Sequence, residues 1–355
     1  MVKLSHRIGV FGVAVATALG LTACADNGSE ADTTHAGTSE TASAQSGTSQ
    51  ARTAEGAVTV TDAAGRTLQF NELPERIVLA EGRAAYATAL LQDEPLHNVV
   101  AYGQDLEKAA GAFRDKLFEL QPEAKDMPTI GMIQKGDVTV ENLLAQKPDV
   151  VIMTLDQKKA VEESGFLSDM DAAGLKYAFI DFRQKPLENT TVSMQLLGDL
   201  LGQSERAEKY NEFYNAKVKE ITDRVAETAD RPDVLIWMAA GFNDCCAVAG
   251  DSNLGTLVTA AGGHNLGPEV LGADSTTITA EKLIELNPDK LIVTGGEWAR
   301  DPNRTDAIRH VELGYQSSPE LALQTCDGPL SQAGMDQLDA TTVSYTHLRA
   351  HETLR

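Results

Sequence analysis

The chain has 355 residues, with 30 Lys and Arg against 52 Asp and Glu, a formal net charge of −22 and a pI near 4.7. Nucleic-acid binding requires basic surface for phosphate contacts and counterion release, so this balance excludes that class. It suits a solvated, exported domain. Beyond the N-terminal segments about 300 residues remain, enough for one large or two medium domains.

Lys3 and Arg7 open the chain, and Ile8 to Leu21 forms an apolar run of signal-peptide length, too short to span a bilayer comfortably. The run ends in Leu21-Thr22-Ala23-Cys24, which resembles the lipobox of bacterial lipoproteins. That resemblance implies a signal peptide over 1–23, cleavage before Cys24, and diacylglyceryl attachment to the Cys24 thiol. A diacyl thioether together with an N-acyl chain on the same residue meets the two-signal requirement for stable membrane anchoring. Residues 24–56 are rich in Ala, Ser, Thr, Gly, Asp and Glu, with no Leu, Ile, Phe or Tyr. With nothing to bury, this segment is expected to act as a flexible polar tether.

Val58 to Thr61 and Thr67 to Phe70, flanking Asp62-Ala63-Ala64-Gly65-Arg66, predict a leading hairpin. Short apolar strands follow at Ile77 to Leu79, Val99 to Ala101 and Tyr177 to Ile180, with a further strand at Val234 to Trp237. An internal repeat sets the architecture. Val138-Thr139-Val140-Glu141 leads through an amphipathic segment to Pro148-Asp149 and the strand Val150 to Met153; Thr277-Ile278-Thr279-Ala280-Glu281 leads to Pro288-Asp289 and the strand Leu291 to Val293. In each copy Thr139 or Thr279 can cap a helix, the acidic residue sits where the helix dipole favours it, and the proline stops the helix before a strand. The strands lack polar alternation, as expected of parallel strands covered on both faces.

A helix over Thr191 to Leu201, ended by Gly202 in a left-handed cap, leads into a long helix from Ser204 to about Thr228. Its apolar stripe is Tyr210, Phe213, Tyr214, Val218, Ile221 and Val225. The expected fold class is α/β, with two Rossmann-like lobes of parallel sheet joined by one long bridging helix and a ligand cleft between the lobes. The N-terminal lobe is placed at 57–190, the bridging helical segment at 191–230 and the C-terminal lobe at 231–342. Residues 343–355 resemble a translated sequencing-adaptor peptide; they are read as an artefactual tail, with the second lobe left incomplete.

The order of lipobox, tether, hairpin, Pro74-Glu75-Arg76-Ile77-Val78, the two Glu-to-Pro-Asp units, the bridging helix and Ala261-Gly262-Gly263-His264-Asn265-Leu266 resembles the helical-backbone substrate-binding lipoproteins of iron-siderophore and vitamin B12 ABC importers. Glu81-Gly82-Arg83, Gly131, Asp181-Phe182-Arg183 and Cys245-Cys246 are similar to a ferric-siderophore branch of that family. The resemblance implies binding without catalysis, delivery to an ABC permease dimer with its ATPase, action as a monomer, and a lipid anchor on the extracytoplasmic face of the cell membrane. It also implies that Glu141 and Glu281, one on each lobe, dock into basic pockets of the permease. The alternative role of these two residues, helix-start electrostatics, is compatible with docking.

In such folds the ligand lies outside the carboxyl ends of the strands. The candidates there are Glu81, Arg83, Tyr86, Tyr102 and Arg183 on the first lobe, and Trp237, Phe242, Glu297, Trp298 and Arg300 on the second. An iron chelate wants Arg donors for its oxygens and aromatic walls for its organic arms. Arg83 could instead pair with Glu81 or Asp181, Arg183 could be an ordinary surface cation, and Trp237 could belong to the core. With Cys24 assigned to lipid, three cysteines remain: a vicinal Cys245–Cys246 disulfide, a pairing of Cys326 with either, and three reduced thiols all stay open. No resident cofactor and no direct metal ligation are expected, since the histidines are scattered. The expected function is capture of an Fe3+-siderophore chelate; haem or a cobamide on the same scaffold is the alternative. An exported enzyme lacks support, with no G-x-S-x-G, H-E-x-x-H or Cys-His motif, and a purely structural surface protein does not account for the two-lobed repeat.

Overall fold

The computed structural model describes residues 57–228, 230–242, 245–271, 277–296, 311–312, 321, 324–326, 329 and 341–344. The expected signal, Cys24, the tether, Glu297, Trp298 and Arg300 therefore lie outside the described residues. In chain order the elements are β1 Val58–Thr61, β2 Thr67–Phe70, β3 Ile77–Leu79, α1 Ala85–Leu91, β4 Val99–Gly103, α2 Asp105–Ala109, α3 Gly111–Leu120, β5 Thr129–Ile130, α4 Val140–Ala145, β6 Val150–Thr154, α5 Leu155–Glu163, α6 Phe166–Ala172 and β7 Tyr177–Ile180. They continue with α7 Pro186–Leu200, α8 Ser204–Ala226, β8 Asp233–Met238, β9 Ala247–Val248, α9 Leu254–Ala260, β10 His264–Asn265, α10 Gly267–Val270, α11 Ala280–Leu286, β11 Lys290–Val293 and β12 Thr341–Ser344.

The first lobe is a sheet of order β5-β4-β3-β6-β7, parallel throughout. Alternate residues feed two apolar clusters on its two faces: Ile77, Leu79, Val150 and Ile152 on one, Val78, Val151, Met153 and Phe179 on the other. This is why its strands read as unbroken apolar runs. The second lobe has order β10-β8-β11-β12, parallel, with β9 antiparallel on β8. Its strands divide in the same way, Leu235, Leu291 and Val293 to one cluster and Val234, Ile236 and Ile292 to the other. Strand β12 takes in Val343 and Ser344, which the sequence assigns to the tail.

The leading hairpin pairs Val58 with Phe70 and is tied down by Asp62, whose buried carboxylate accepts the N–H groups of Ala64, Arg66 and Phe179 and two bonds from the Arg66 guanidinium. Arg66 in turn reaches the Tyr177 carbonyl at 2.6 Å, fixing the hairpin to β7.

Both copies of the repeat fold alike. Thr139 and Thr279 cap α4 and α11, each hydroxyl accepting the third helical N–H, of Asn142 and Lys282, at 3.2 Å. The aspartate of each Pro-Asp pair then staples the head of the neighbouring strand. Asp149 accepts the N–H groups of Glu75 and Arg76 at 2.9 Å ahead of β3, and Asp289 accepts the Asp233 N–H at 2.9 Å at the head of β8. Removing either cap with Thr139→Ala or Thr279→Ala is expected to cost about 1 kcal/mol, measured by urea denaturation.

Helix α7 lies on the first lobe through Met194, Leu196, Leu197 and Leu200 and ends at Gly202, whose φ of +68° is the left-handed cap. Helix α8 runs back along it, with Tyr214 donating to the Pro186 carbonyl and Asn211 to the Thr191 carbonyl. Its stripe is narrower than the sequence implies: Tyr210, Tyr214, Val218 and Val225 are half-buried, whereas Phe213 and Ile221 are exposed. A bridging helix packs along one line only, so residues at the margins of an apolar stripe stay in solvent. The far end of α8 meets the second lobe where Val225 packs against Gly262, and the Asn253 N–H bonds the Gln184 carbonyl at 2.9 Å.

Candidate functional site

In each sheet the chain leaves a central strand in one direction and later returns on its other side. The loops after those neighbouring strands part company there, opening the place where open parallel sheets hold ligands. In the first lobe this switch point falls between β3 and β6, in the second between β8 and β11.

At the first switch point the residue two positions beyond β3 is Glu81, which is buried and hydrogen-bonded by the Thr154 hydroxyl at 3.1 Å from the end of β6. Two guanidiniums grip it. Arg183, beyond β7, donates from Nη1 and Nη2 at 2.5 and 2.8 Å, and the Arg83 Nη2 stands 2.7 Å from Oε1. A second ring of carboxylates holds the guanidiniums from outside: Asp105 takes the Arg83 Nε at 3.1 Å, and Asp156 takes Arg183 through Nε and Nη2. Asp105 also accepts the N–H groups of Gly82 and Arg83. A side chain at Gly82 would put its Cβ 2.3 Å from the Gly103 carbonyl oxygen, so only glycine lets the two loops approach this closely.

The charges set one another's titration. Burial alone would raise the Glu81 pKa, but Arg183 and Arg83 outweigh it and hold the carboxylate below its ordinary range. Burial likewise opposes the Arg183 charge, yet Glu81 and Asp156 push its pKa up. Asp105 goes the other way: burial, with the Glu81 charge beside it, raises its pKa against the backbone N–H bonds it accepts.

Arg83 thus pairs with Glu81 and Asp105. Asp181, the other partner considered for it, caps its own turn, accepting the N–H groups of Arg183, Gln184 and Lys185 and the Asn189 amide. Arg183 is no ordinary surface cation. Both arginine side chains keep 35% of their surface in solvent.

Tyr86, one turn on in α1, is exposed and stacks on Phe113 with ring centroids 4.0 Å apart. Tyr102 and Trp237 require correction: both lie in the apolar core, 4% and 2% exposed. Tyr102 falls inside β4, which runs on to Gly103, and Trp237 falls inside β8, which runs on to Met238; a strand covered on both faces has no wall to offer a ligand.

At the second switch point the Ala239 N–H bonds the Thr294 hydroxyl at 2.9 Å, tying the loop after β8 to the loop after β11, and Phe242 on the former is exposed. That loop continues to Cys245 and Cys246, which are disulfide-bonded to each other, while Cys326 is buried in the same apolar cluster. Cys246 exchanges both backbone hydrogen bonds with Ile278, the residue before the α11 cap.

Glu141 and Glu281 occupy the same place in their two helices, second after the capping threonine, and both are exposed. Each carboxylate is held below its usual range by its own backbone N–H and then by the cap hydroxyl.

Asp105 and Asp156 were missed as members of the site. The signal was positional: an acidic residue stands two places beyond the end of β3, of β4 and of β6, at Glu81, Asp105 and Asp156.

Two α/β lobes bridged by a long helix, with charged and aromatic groups gathered at the carboxyl ends of the strands, define a ligand-capturing protein of the two-lobed kind. The chain belongs to the periplasmic binding protein family, whose pattern matches residues 107–314. It is 20% identical over 289 residues to YvrC of Bacillus subtilis strain 168, described as an uncharacterized ABC transporter substrate-binding lipoprotein, covering 79% of this chain and 84% of that protein. Its fold is similar to the TroA-like periplasmic binding protein FepB of Veillonella parvula, with a TM-score of 0.69, 24% identity, and coverage of 82% of this chain and 84% of that one. It is also similar to the molybdate-bound periplasmic binding protein MolA of Haemophilus influenzae, with a TM-score of 0.53, 18% identity, and coverage of 79% and 93%. Substrate-binding proteins of this kind serve ABC transporters, working with a permease and an ATPase.

Proposed function

We propose that the chain is an extracytoplasmic lipoprotein, anchored through Cys24, that captures a ferric siderophore and delivers it to an ABC permease dimer. The observation that carries the ligand class is the Arg83–Glu81–Arg183 clasp at the switch point of the first sheet. Guanidiniums fixed at both ends by carboxylates are preoriented, so a chelate oxygen meeting them pays little ordering entropy. Tyr86 beside them, with Phe242 and Trp298 on the second lobe, would supply aromatic surface for the organic arms of the chelate. Glu141 and Glu281 would present one charge from each lobe to the permease.

Titration of the purified protein with ferric hydroxamate and ferric catecholate chelates, read by tryptophan fluorescence, tests the ligand class. Saturable quenching by at least one chelate is expected. A folded sample silent to every chelate, or a Soret band in the protein as purified, would replace the siderophore reading with another ligand or with haem.

A further inference from the structure

We infer that the site selects an uncharged or cationic ferric chelate, of the hydroxamate type, over a strongly anionic tricatecholate. The inference rests on the siderophore reading above and adds the charge class of the ligand.

It follows from how completely the cations are already answered. At the carboxyl edge of the first sheet the described residues place two guanidiniums, Arg83 and Arg183, among four carboxylates, Glu81, Asp105, Asp156 and Asp181. All three nitrogens of the Arg183 guanidinium are engaged, by Glu81 and Asp156. Arg83 has Nε on Asp105 and Nη2 beside Glu81. Its Nη1 is the one nitrogen of the two guanidiniums without a carboxylate among the described residues. The next cation along the chain, Lys185, pairs with Glu188 at 3.4 Å.

Among the described residues, a triply negative chelate entering here would find no uncompensated positive charge and would stand against a buried carboxylate, where repulsion is poorly screened. A hydroxamate chelate asks for less. Its oxygens need donors, which Arg83 Nη1 provides on a side chain 35% exposed, and its arms need apolar surface, to which Tyr86, 44% exposed beside its Phe113 stack, contributes. The net charge of −22 adds the same bias during approach, over a range of about 8 Å at physiological salt.

Asp156 sets the balance. It is the partly exposed carboxylate on the outer side of Arg183, and its removal leaves Arg183 still held by Glu81.

The test is a paired titration with ferric desferrioxamine B, a singly positive trihydroxamate, and ferric enterobactin, a triply negative tricatecholate, on the wild type and on Asp156→Asn. The wild type is expected to bind the trihydroxamate at least about tenfold more tightly, and D156N to narrow that ratio by several-fold, chiefly by tighter tricatecholate binding. Raising salt should narrow the wild-type ratio as well. Equal or tighter tricatecholate binding by the wild type overturns the charge-class inference and leaves the siderophore reading standing. A wild-type preference that D156N leaves unchanged also overturns it, because the preference then has another source. Silence towards both chelates from folded protein overturns the charge-class inference, because no hydroxamate preference is then seen, and leaves the siderophore reading to the wider chelate titration above.

Discussion

Glu81→Ala is expected to lower the stability of the fold by about 2–3 kcal/mol and to abolish ligand capture, the first measured by urea denaturation and the second by titration. Breaking a buried ion pair from one side is costly because the partner charges remain. Here two guanidiniums would be left facing each other across the vacated position, with Asp105 and Asp156 on their outer sides. The figure stays below the range for fully buried pairs because both arginines keep about a third of their side-chain surface in water, which screens the loss. Arg183→Ala should cost less than Glu81→Ala, since Arg83 still answers Glu81. The double variant should then fall short of the sum of the two single losses by about 1 kcal/mol or more, the signature of direct contact.

The same cluster predicts the acid limb of stability. The Glu81 pKa is lower folded than unfolded, so its contribution is fully present above its ordinary value of 4.5 and is lost as pH falls through the folded value. Asp105 is raised above its ordinary 3.8 and has the opposite sign: it favours the unfolded chain as pH rises through that window, and its protonation on acidification removes the penalty. A urea series between about pH 6 and pH 3 should therefore show the wild type losing stability below pH 4.5, with the loss shallower in Glu81→Gln. Identical acid limbs for the two proteins would show that Glu81 is not held by the guanidiniums in solution.

The architecture was legible because repetition and periodicity carry it. Thr139 and Thr279, Glu141 and Glu281, Pro148 and Pro288 recur at one spacing and read as a cap, a helix start and a helix stop before a strand, whereas the stapling role of Asp149 and Asp289 shows only in the fold. The site was legible only as a list of residue types near strand ends. Glu81, Arg83 and Arg183 were found because charge is conspicuous after an apolar run. Their partners were not, because Asp105 and Asp156 come from strands on either side of β3, and neighbourhood across a parallel sheet is fixed by strand order, which local sequence does not encode. Tyr102 and Trp237 failed for a smaller reason: an aromatic at the end of a buried strand looks the same in sequence whether it is the last core residue or the first residue of the loop. One residue of strand length decides between them, and strand ends are the least determined feature of a pattern.

Charge reversal of both docking candidates, Glu141→Arg with Glu281→Arg, is expected to cut ligand delivery by about tenfold or more while ligand affinity stays within about twofold. The two carboxylates are exposed, one per lobe, and each heads a helix whose N–H and capping hydroxyl hold its pKa below the ordinary carboxylate value, so it is charged at neutral pH. Their counterparts in a permease would be cations, and an arginine placed against a cation both removes an attraction and installs a repulsion. Neither residue contacts the Arg83–Glu81–Arg183 clasp, so affinity provides the internal control. Single reversals should each give an intermediate loss, because one lobe remains able to engage. The measurement is uptake of radiolabelled ferric chelate into proteoliposomes holding the permease and ATPase, with affinity taken from fluorescence on the same preparations. If delivery by the double variant is unchanged, the glutamates serve only their helices. If affinity collapses together with delivery, the fault lies in the capture step and docking has not been touched. A separation of the two readouts, delivery lost and capture kept, is the result that assigns the repeated glutamates to the permease.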